Sequence, residues 1–277
     1  AGSGRGAASL VGGRVVLTQT RFGAMLVNEN DVFVGRSLIA YGEFSQGEAN
    51  LFSDIVEPGW RVADVGANVG AHTLLFSRLV GPRGSVHAYE PQRAVYNQLC
   101  ANLALNDAHN VWAHRAVVGA GGGSIALGDV DPHAECNFGG LSVDALRQEG
   151  AEAVPVIPLS GDFHFIKVDV EGMESEVLRG AKDSIARNRP LLYVENDRDD
   201  KSPELLLLLE ELGYDAFWHV TPLFPEENFR GNAENIWGAN ANYVSLNLFC
   251  TPKERPMNHD LDKARECSSD YLRKRFS

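Results

Sequence analysis

The chain has 277 residues, 44% hydrophobic and 22% charged, which suits one large α/β domain with a modest accessory piece and excludes extensive disorder. Its formal net charge of -12 speaks against a duplex nucleic-acid partner, which needs a basic face to neutralise phosphates. Cysteines 100, 136, 250 and 267 form no CxxC pair, so reduced thiols in a cytoplasmic setting are expected; no apolar run approaches the ~18 to 20 residues that span a bilayer, and no secretory signal is visible.

In chain order, residues 1–12 read as a flexible lead or an expression scar. Residues 13–58 read as a small N-terminal β/helix element, with β-prone runs at 15–18, 24–27 and 31–34 and a helix over 47–56 ended by Pro58-Gly59. From here to residue 252 strands and helices alternate: strands at 61–65, 85–89, 111–116, 163–168 and 191–195, and helices at 69–80, 93–106, 174–188 and 203–212. Residues 119–140 are Gly-rich and read as an irregular excursion with a short hairpin. Strands at 215–220 and 243–250 close the series, joined by a long non-helical connection, so they are expected to pair antiparallel at the sheet edge. The rhythm predicts an α/β fold with a mainly parallel sheet, covered by helices on both faces. Residues 253–277 read as a charged tail, a loose arm or a terminal helix.

The strongest local signal is Asp64-Val65-Gly66-Ala67-Asn68-Val69-Gly70, where a buried strand turns sharply into a helix. Gly66 and Gly70 permit a tight turn and close approach of a ligand, with Asn68 between them. The GxGxxG spacing of a dinucleotide site is absent, and Asp64 would repel a pyrophosphate. An acid there suits a ligand with an ammonium or sulfonium group, as in S-adenosylmethionine. Glu90-Pro91 follows at the end of the second strand, where an acid is placed to accept both ribose hydroxyl hydrogens; the plain alternative is a loop carboxylate.

At these residues the chain resembles the FkbM-type family of S-adenosylmethionine-dependent methyltransferases. The segments that carry the resemblance are DVGANVG at 64–70, Tyr89-Glu90-Pro91, Asn102 with Leu105-Asn106, KVDVEGME at 167–174, and Arg189-Pro190 leading to Glu195. It implies a Rossmann-like class I methyltransferase fold. The methionine portion would lie near Asp64 and Gly66, the ribose on Glu90, and the adenine near Pro91 and Ala116. It also implies hydroxyls of sugars, polyketides and related metabolites as usual acceptors, with peptide nitrogen in some members. Where many relatives have a Leu-Asp-Asp-like segment, this chain has Pro158-Leu159-Ser160-Gly161-Asp162.

Methyl transfer requires alignment of acceptor, methyl and sulfur, and for a hydroxyl a proton acceptor as well. Asp169, Glu171 and Glu195 sit at carboxyl ends of strands and are the catalytic candidates; Asp169 is also expected to touch the cofactor, its plain alternative being a helix cap. Asp169 with Glu195-Asn196 forms an oxygen-ligand set for a divalent cation, ranked below hydrogen bonding that fixes loop shape. His72 is expected at the surface or at a helix cap, with contact to the cofactor as the alternative, while His164 and His219 are candidate bases only if they face the cleft. Phe224, Phe229 and Trp237, in the 221–242 connection, are candidate lid residues, and 41–45 a second wall. The overall expectation is an S-adenosylmethionine-dependent O-methyltransferase acting on a hydroxyl of a sugar or secondary metabolite, a small-molecule or glycan acceptor. Rivals are N-methylation of a peptide or amine, a noncatalytic cofactor-binding protein, and a dinucleotide oxidoreductase.

Overall fold

The computed structural model describes residues 9–12, 14–238, 243–267 and 269–272. Three strands, β1 (Ser9–Gly12), β2 (Val15–Thr20) and β3 (Gly23–Asn28), form an antiparallel sheet. Residues 9–12 therefore belong to this sheet and not to a flexible lead; residues 1–8 lie outside the described residues. Helices α1 (Val34–Ala40) and α2 (Gln46–Ile55) follow. The run 31–34, β-prone by composition, is not a strand. Asp31 accepts from the Phe33 and Gly35 amides at 3.2 and 2.9 Å and so initiates α1, because a carboxylate at this position satisfies amides that the first helical turn leaves unpaired.

Next come β4 (Arg61–Val65), α3 (Ala71–Val80), β5 (Ser85–Tyr89), α4 (Arg93–Leu105) and β6 (Val111–His114). The Gly-rich excursion carries β7 (Val117–Val118), β8 (Ser124–Leu127), a single helical turn α5 (Val143–Leu146) and β9 (Glu152–Ile157). Strand β9 pairs parallel to β7 and antiparallel to β8, a small sheet that only non-local pairing creates. Then follow β10 (Phe165–Val168), α6 (Glu174–Gly180), α7 (Lys182–Asn188), β11 (Leu191–Glu195), α8 (Ser202–Glu211), β12 (Tyr214–Pro222), β13 (Val244–Pro252) and β14 (Asp262–Lys263). The helix expected over 174–188 is two helices. A Cβ at Gly180 would lie 2.4 Å from the Gly119 carbonyl oxygen, so α6 ends where it meets the excursion. The tail contributes β14, paired to β12.

The main sheet has the order β14-β12-β13-β11-β10-β4-β5-β6. Strands β6, β5, β4, β10 and β11 are parallel; β13 and β12 are antiparallel at the far side, as their patterning led one to expect. This is a Rossmann-like α/β fold. Alternate residues of the central strands fill opposite cores. Val62, Phe165, Tyr193 and Phe249 pack with Phe52 of α2 and Phe76 of α3, while Ala63, Val65, Ile166, Val168, Leu192 and Val194 pack beneath α6, α7 and α8. The chain runs outward from β4 through β5 to β6, then restarts on β4's other side at β10. That reversal opens a crevice at the carboxyl ends of β4 and β10.

The N-terminal sheet is fastened to this crevice by Asn102 on α4, fully buried. Its amide donates to Leu26 O at 3.1 Å and Val69 O at 2.8 Å, and its oxygen accepts from Leu26 N at 2.6 Å. Asn106 adds a bond to Ala24 O at 2.7 Å. Met25, Val27 and Leu38 share one core with Ala67, Val69 and Leu74.

Candidate active site

Register fixes where the site residues emerge. Val65 pairs with Tyr89 and with Val168, and Val168 with Val194, so β4, β5 and β10 end level and β11 runs one residue further. The residues just beyond or at these ends, Gly66, Glu90, Asp169 and Glu195, therefore face one crevice. They line a cavity of about 300 Å³, together with Asp64, Asn68, Lys167, Glu171 and Asp197. A smaller lobe of about 50 Å³ adjoins it across Gly66, Glu90 and Asp169, and is walled by Pro91, Ala116, Val143 and Leu146. A larger groove of about 740 Å³, between α8, β12 and β14, contains none of the candidate catalytic or cofactor-binding residues.

The glycine turn is as tight as its sequence suggests. Gly66 (φ 81°), Asn68 (φ 51°) and Gly70 (φ 91°) all adopt left-handed backbone conformations. A Cβ on Gly66 would lie 1.7 Å from the Asp169 carbonyl oxygen, so only glycine lets the ends of β4 and β10 approach. Gly70 heads α3, and the amide of Asn68 donates to Glu90 Oε2 at 3.1 Å. Glu90 Oε1 accepts from Gln92 N at 2.9 Å. Burial pushes the Glu90 carboxyl up to about 7, against the pull of those two amides.

Asp64 is fully buried. Its Oδ2 accepts from Thr73 Oγ1 at 2.6 Å; its Oδ1 lies 3.7 Å from Lys167 Nζ and has no hydrogen-bond partner. Burial pushes this carboxyl up, while Lys167 and Thr73 pull it back. The acid at the mouth of the turn is thus already balanced by a cation, which sequence reading did not foresee.

That cation, Lys167, is the main functional residue missed. It projects from β10 in register with Asp64, only 3% exposed. It donates to Asp169 Oδ2 at 3.0 Å. Burial disfavours its charge, yet Asp169, Asp64 and Glu48 outweigh that and hold the ammonium protonated. The signal available was a lysine inside an otherwise apolar buried strand, Phe-Ile-Lys-Val, since such a lysine requires a charged partner. Glu48 on α2 was missed as well. It is buried and accepts from Ser45, Ser245 and Asn247 at 2.6, 2.6 and 3.2 Å, and burial raises its pKa. The Ser45–Glu48 pair at the start of α2 is a serine and glutamate three residues apart, a pattern readable in sequence.

Beyond Lys167, three carboxylates converge: an oxygen from each of Asp169, Glu171 and Glu195 lies within 4.8 Å of the others. Glu171, itself at φ 59°, is held by Arg198 at 2.5 Å. Burial, then the nearby Asp169, pushes Glu171 up to about 7. Glu195 is driven well above the ordinary carboxylate range by burial and by Asp169 and Glu171. Asp169 does not cap α6; Glu174 takes the Gly172 amide at 2.9 Å instead. Asn196, expected beside Glu195 as an oxygen ligand, turns to the other side, among residues of α6 and α8.

The histidines sort differently from expectation. His72 is neither at the surface nor a cap, and it is among the residues lining the cavity. It is 7% exposed and packs against Phe22, Phe52 and Phe76, and burial lowers its pKa to about 3. Phe22, from the turn between β2 and β3, and Phe52 of α2 supply the cover that α3 alone lacks. His164 stacks on Trp60 and accepts from the Arg61 amide at 3.0 Å, at the opposite ends of the strands. His219 bonds to Tyr193 at 2.8 Å. Neither lines the cavity. Asp162 likewise points away, paired with Arg187 at 3.3 Å.

Of the 221–242 connection, Leu223 lines the cavity while Phe224, Phe229 and Trp237 are not among its lining residues; residues 239–242 lie outside the described residues. Trp237 packs on Phe33, a cavity-lining residue, with ring centres 5.0 Å apart. Phe224 packs on Tyr41 at 5.8 Å, and the Tyr41 hydroxyl bonds to Glu234 O and Ile236 N. Phe44, within the expected second wall, lines the cavity.

Residues 64–216, more than half of the chain, match the methyltransferase FkbM domain. Methyltransferase 1 of Beauveria bassiana (strain ARSEF 2860) is 31% identical over a stretch covering 44% of this chain and 58% of that protein. Methyltransferase sdnD of Sordaria araneosa is 29% identical, covering 56% of this chain and 73% of that protein. The chain thus spans little more than half the length of the first of these relatives. Among solved structures, methyltransferase FkbM from Methylobacillus flagellatus KT aligns with a TM-score of 0.43 at 14% identity, covering 73% of this chain and 50% of that one. No helix among the described residues is long and apolar enough to cross a membrane. With its matched region running from the glycine turn through the acidic strand ends to β12, the chain belongs to the methyltransferase FkbM domain family.

Proposed function

We propose that this protein is an S-adenosylmethionine-dependent methyltransferase whose acceptor is a hydroxyl on a sugar or secondary metabolite. The observation that carries the reading is a single two-lobed crevice, with Glu90 and Gly66 at the junction and carboxylates at the far end. Pro91 and Ala116, with Val143 and Leu146, offer the smaller lobe to adenine. Glu90, whose oxygens each accept one backbone amide and keep a further lone pair, takes the ribose hydroxyls in its ionised form. Asp64 Oδ1, in an ion pair with Lys167 at 3.7 Å but without a hydrogen bond, is the acid assigned to the ammonium group of the methionine portion.

S-adenosylmethionine supplies a methyl group already activated by the sulfonium. The chain has to orient the acceptor oxygen in line with it and take the proton. Asp169, Glu171 and Glu195 surround that position and have oxygens to receive a hydroxyl hydrogen. The acceptor's lone pair forms the new C–O bond as the C–S pair returns to sulfur. Phe33, Phe44 and Leu223 add apolar lining to the cavity's acids, which suits an acceptor with both apolar surface and hydrogen-bond donors. The same excess of carboxylates also receives a protonated amine, which keeps N-methylation as the second reading; product mass analysis separates the two. The four free cysteines suit a reducing, cytoplasmic setting.

Calorimetric titration with S-adenosylhomocysteine, with NAD as comparison, tests the cofactor. One-to-one binding of S-adenosylhomocysteine alone is expected; binding of NAD, or of neither ligand, overturns the reading.

A further inference from the structure

We infer that Asp169, Glu171 and Glu195 form a binding site for a hard divalent cation of the magnesium or manganese class, at the acceptor end of the cavity. The three offer oxygens within 4.8 Å of one another, and a small inward turn of the side chains brings them within reach of one ion. Proximity of acids alone would not justify a cation, since two of them have basic partners. The deciding group is Glu195. Its Oε2 is shut off from solvent, has no hydrogen-bond partner, and belongs to a side chain that lines the cavity. A carboxylate oxygen that is dry and unpaired is costly unless something positive meets it.

The surroundings are arranged as ligand supports. Lys167 Nζ holds Asp169 through Oδ2 at 3.0 Å, and Arg198 holds Glu171 through Oε2 at 2.5 Å. Each contact orients its carboxylate and leaves the second oxygen available, the usual arrangement around a metal site. An all-oxygen set with no histidine or thiol favours magnesium or manganese over zinc or copper. The ligand set is not the one that strand order alone suggests, because Asn196 turns away and Glu171 takes the third place.

In the proposed reaction the acceptor hydroxyl would bind such a cation, and its proton would become easier to remove. The cation site itself does not depend on that reaction. Manganese titration of the full chain without cofactor, followed by calorimetry, is the direct test, with S-adenosylhomocysteine titrated in parallel. One saturable manganese site per chain is expected. Glu195→Gln and Glu171→Gln should each weaken it by about tenfold or more, with S-adenosylhomocysteine affinity retained as proof of an intact fold. Absence of saturable manganese binding in the unaltered chain overturns the site, as does binding that neither substitution changes. Manganese binding without S-adenosylhomocysteine binding upholds the cation site while refuting the methyl-transfer reading, and the opposite pattern does the reverse.

Discussion

Replacing Glu90 by glutamine should remove both a cost to folding and a contact to the cofactor, and pH separates the two effects. The Glu90 carboxyl is raised from 4.5 to about 7 because it is buried. A buried acid of this kind folds more easily when protonated, so its contribution to stability is fully present below 4.5 and is lost as the pH rises through about 7. At ~1.4 kcal/mol per pH unit, that window corresponds to roughly 3 kcal/mol. Urea unfolding of both proteins between about pH 5 and about pH 8 should show a fall in stability in the unaltered chain that is smaller by this amount in Glu90→Gln. The absolute stability of the variant is offset by one lost backbone bond, because glutamine cannot accept from both the Asn68 and Gln92 amides. Only the pH slope isolates the carboxyl. Cofactor affinity should move the other way. Ribose hydroxyls donate to the ionised form, so S-adenosylhomocysteine should bind about tenfold more weakly at about pH 6 than at about pH 8, with a flat profile in the variant. Parallel stability slopes in the two proteins would refute the burial argument, and a flat affinity profile in the unaltered chain would remove Glu90 from the ribose.

Gly66→Ala should lose S-adenosylhomocysteine binding and about 1 to 3 kcal/mol of stability from overpacking against the Asp169 carbonyl, with left-handed strain in addition; normal binding by calorimetry would contradict the close approach. Lys167→Met should cost about 3 to 5 kcal/mol in urea unfolding, since it strands the buried Asp64 beside Asp169. A loss under about 1 kcal/mol would mean the ammonium is not the balancing charge. Trp237→Ala should raise acceptor KM and leave S-adenosylhomocysteine affinity nearly unchanged, because Trp237 packs on Phe33 at the cavity wall and not on the glycine turn; equal loss of both would end the lid interpretation.

The sequence by itself determined the alternation of β4, α3, β5 and α4, the turn at Gly66 to Gly70, and the position of Glu90 after β5. These follow from local chemistry: a short apolar run makes a buried strand, and a glycine pair allows left-handed backbone where a carbonyl comes close. Asp169, Glu171 and Glu195 were also readable as strand-end acids. Their convergence was not, because it depends on the level register of β10 and β11 and on which way each side chain turns. Asn196 shows the limit, adjacent to Glu195 in sequence yet on the other side of the strand end. Burial of His72 required the N-terminal sheet and α2 to be in place, and the pairing of Lys167 with Asp64 and Asp169 required two strands far apart in the chain to lie side by side. Strand and turn propensities act over a few residues. The charge balance of a buried site is set by groups that only the folded chain brings within a few ångströms, where water no longer screens them.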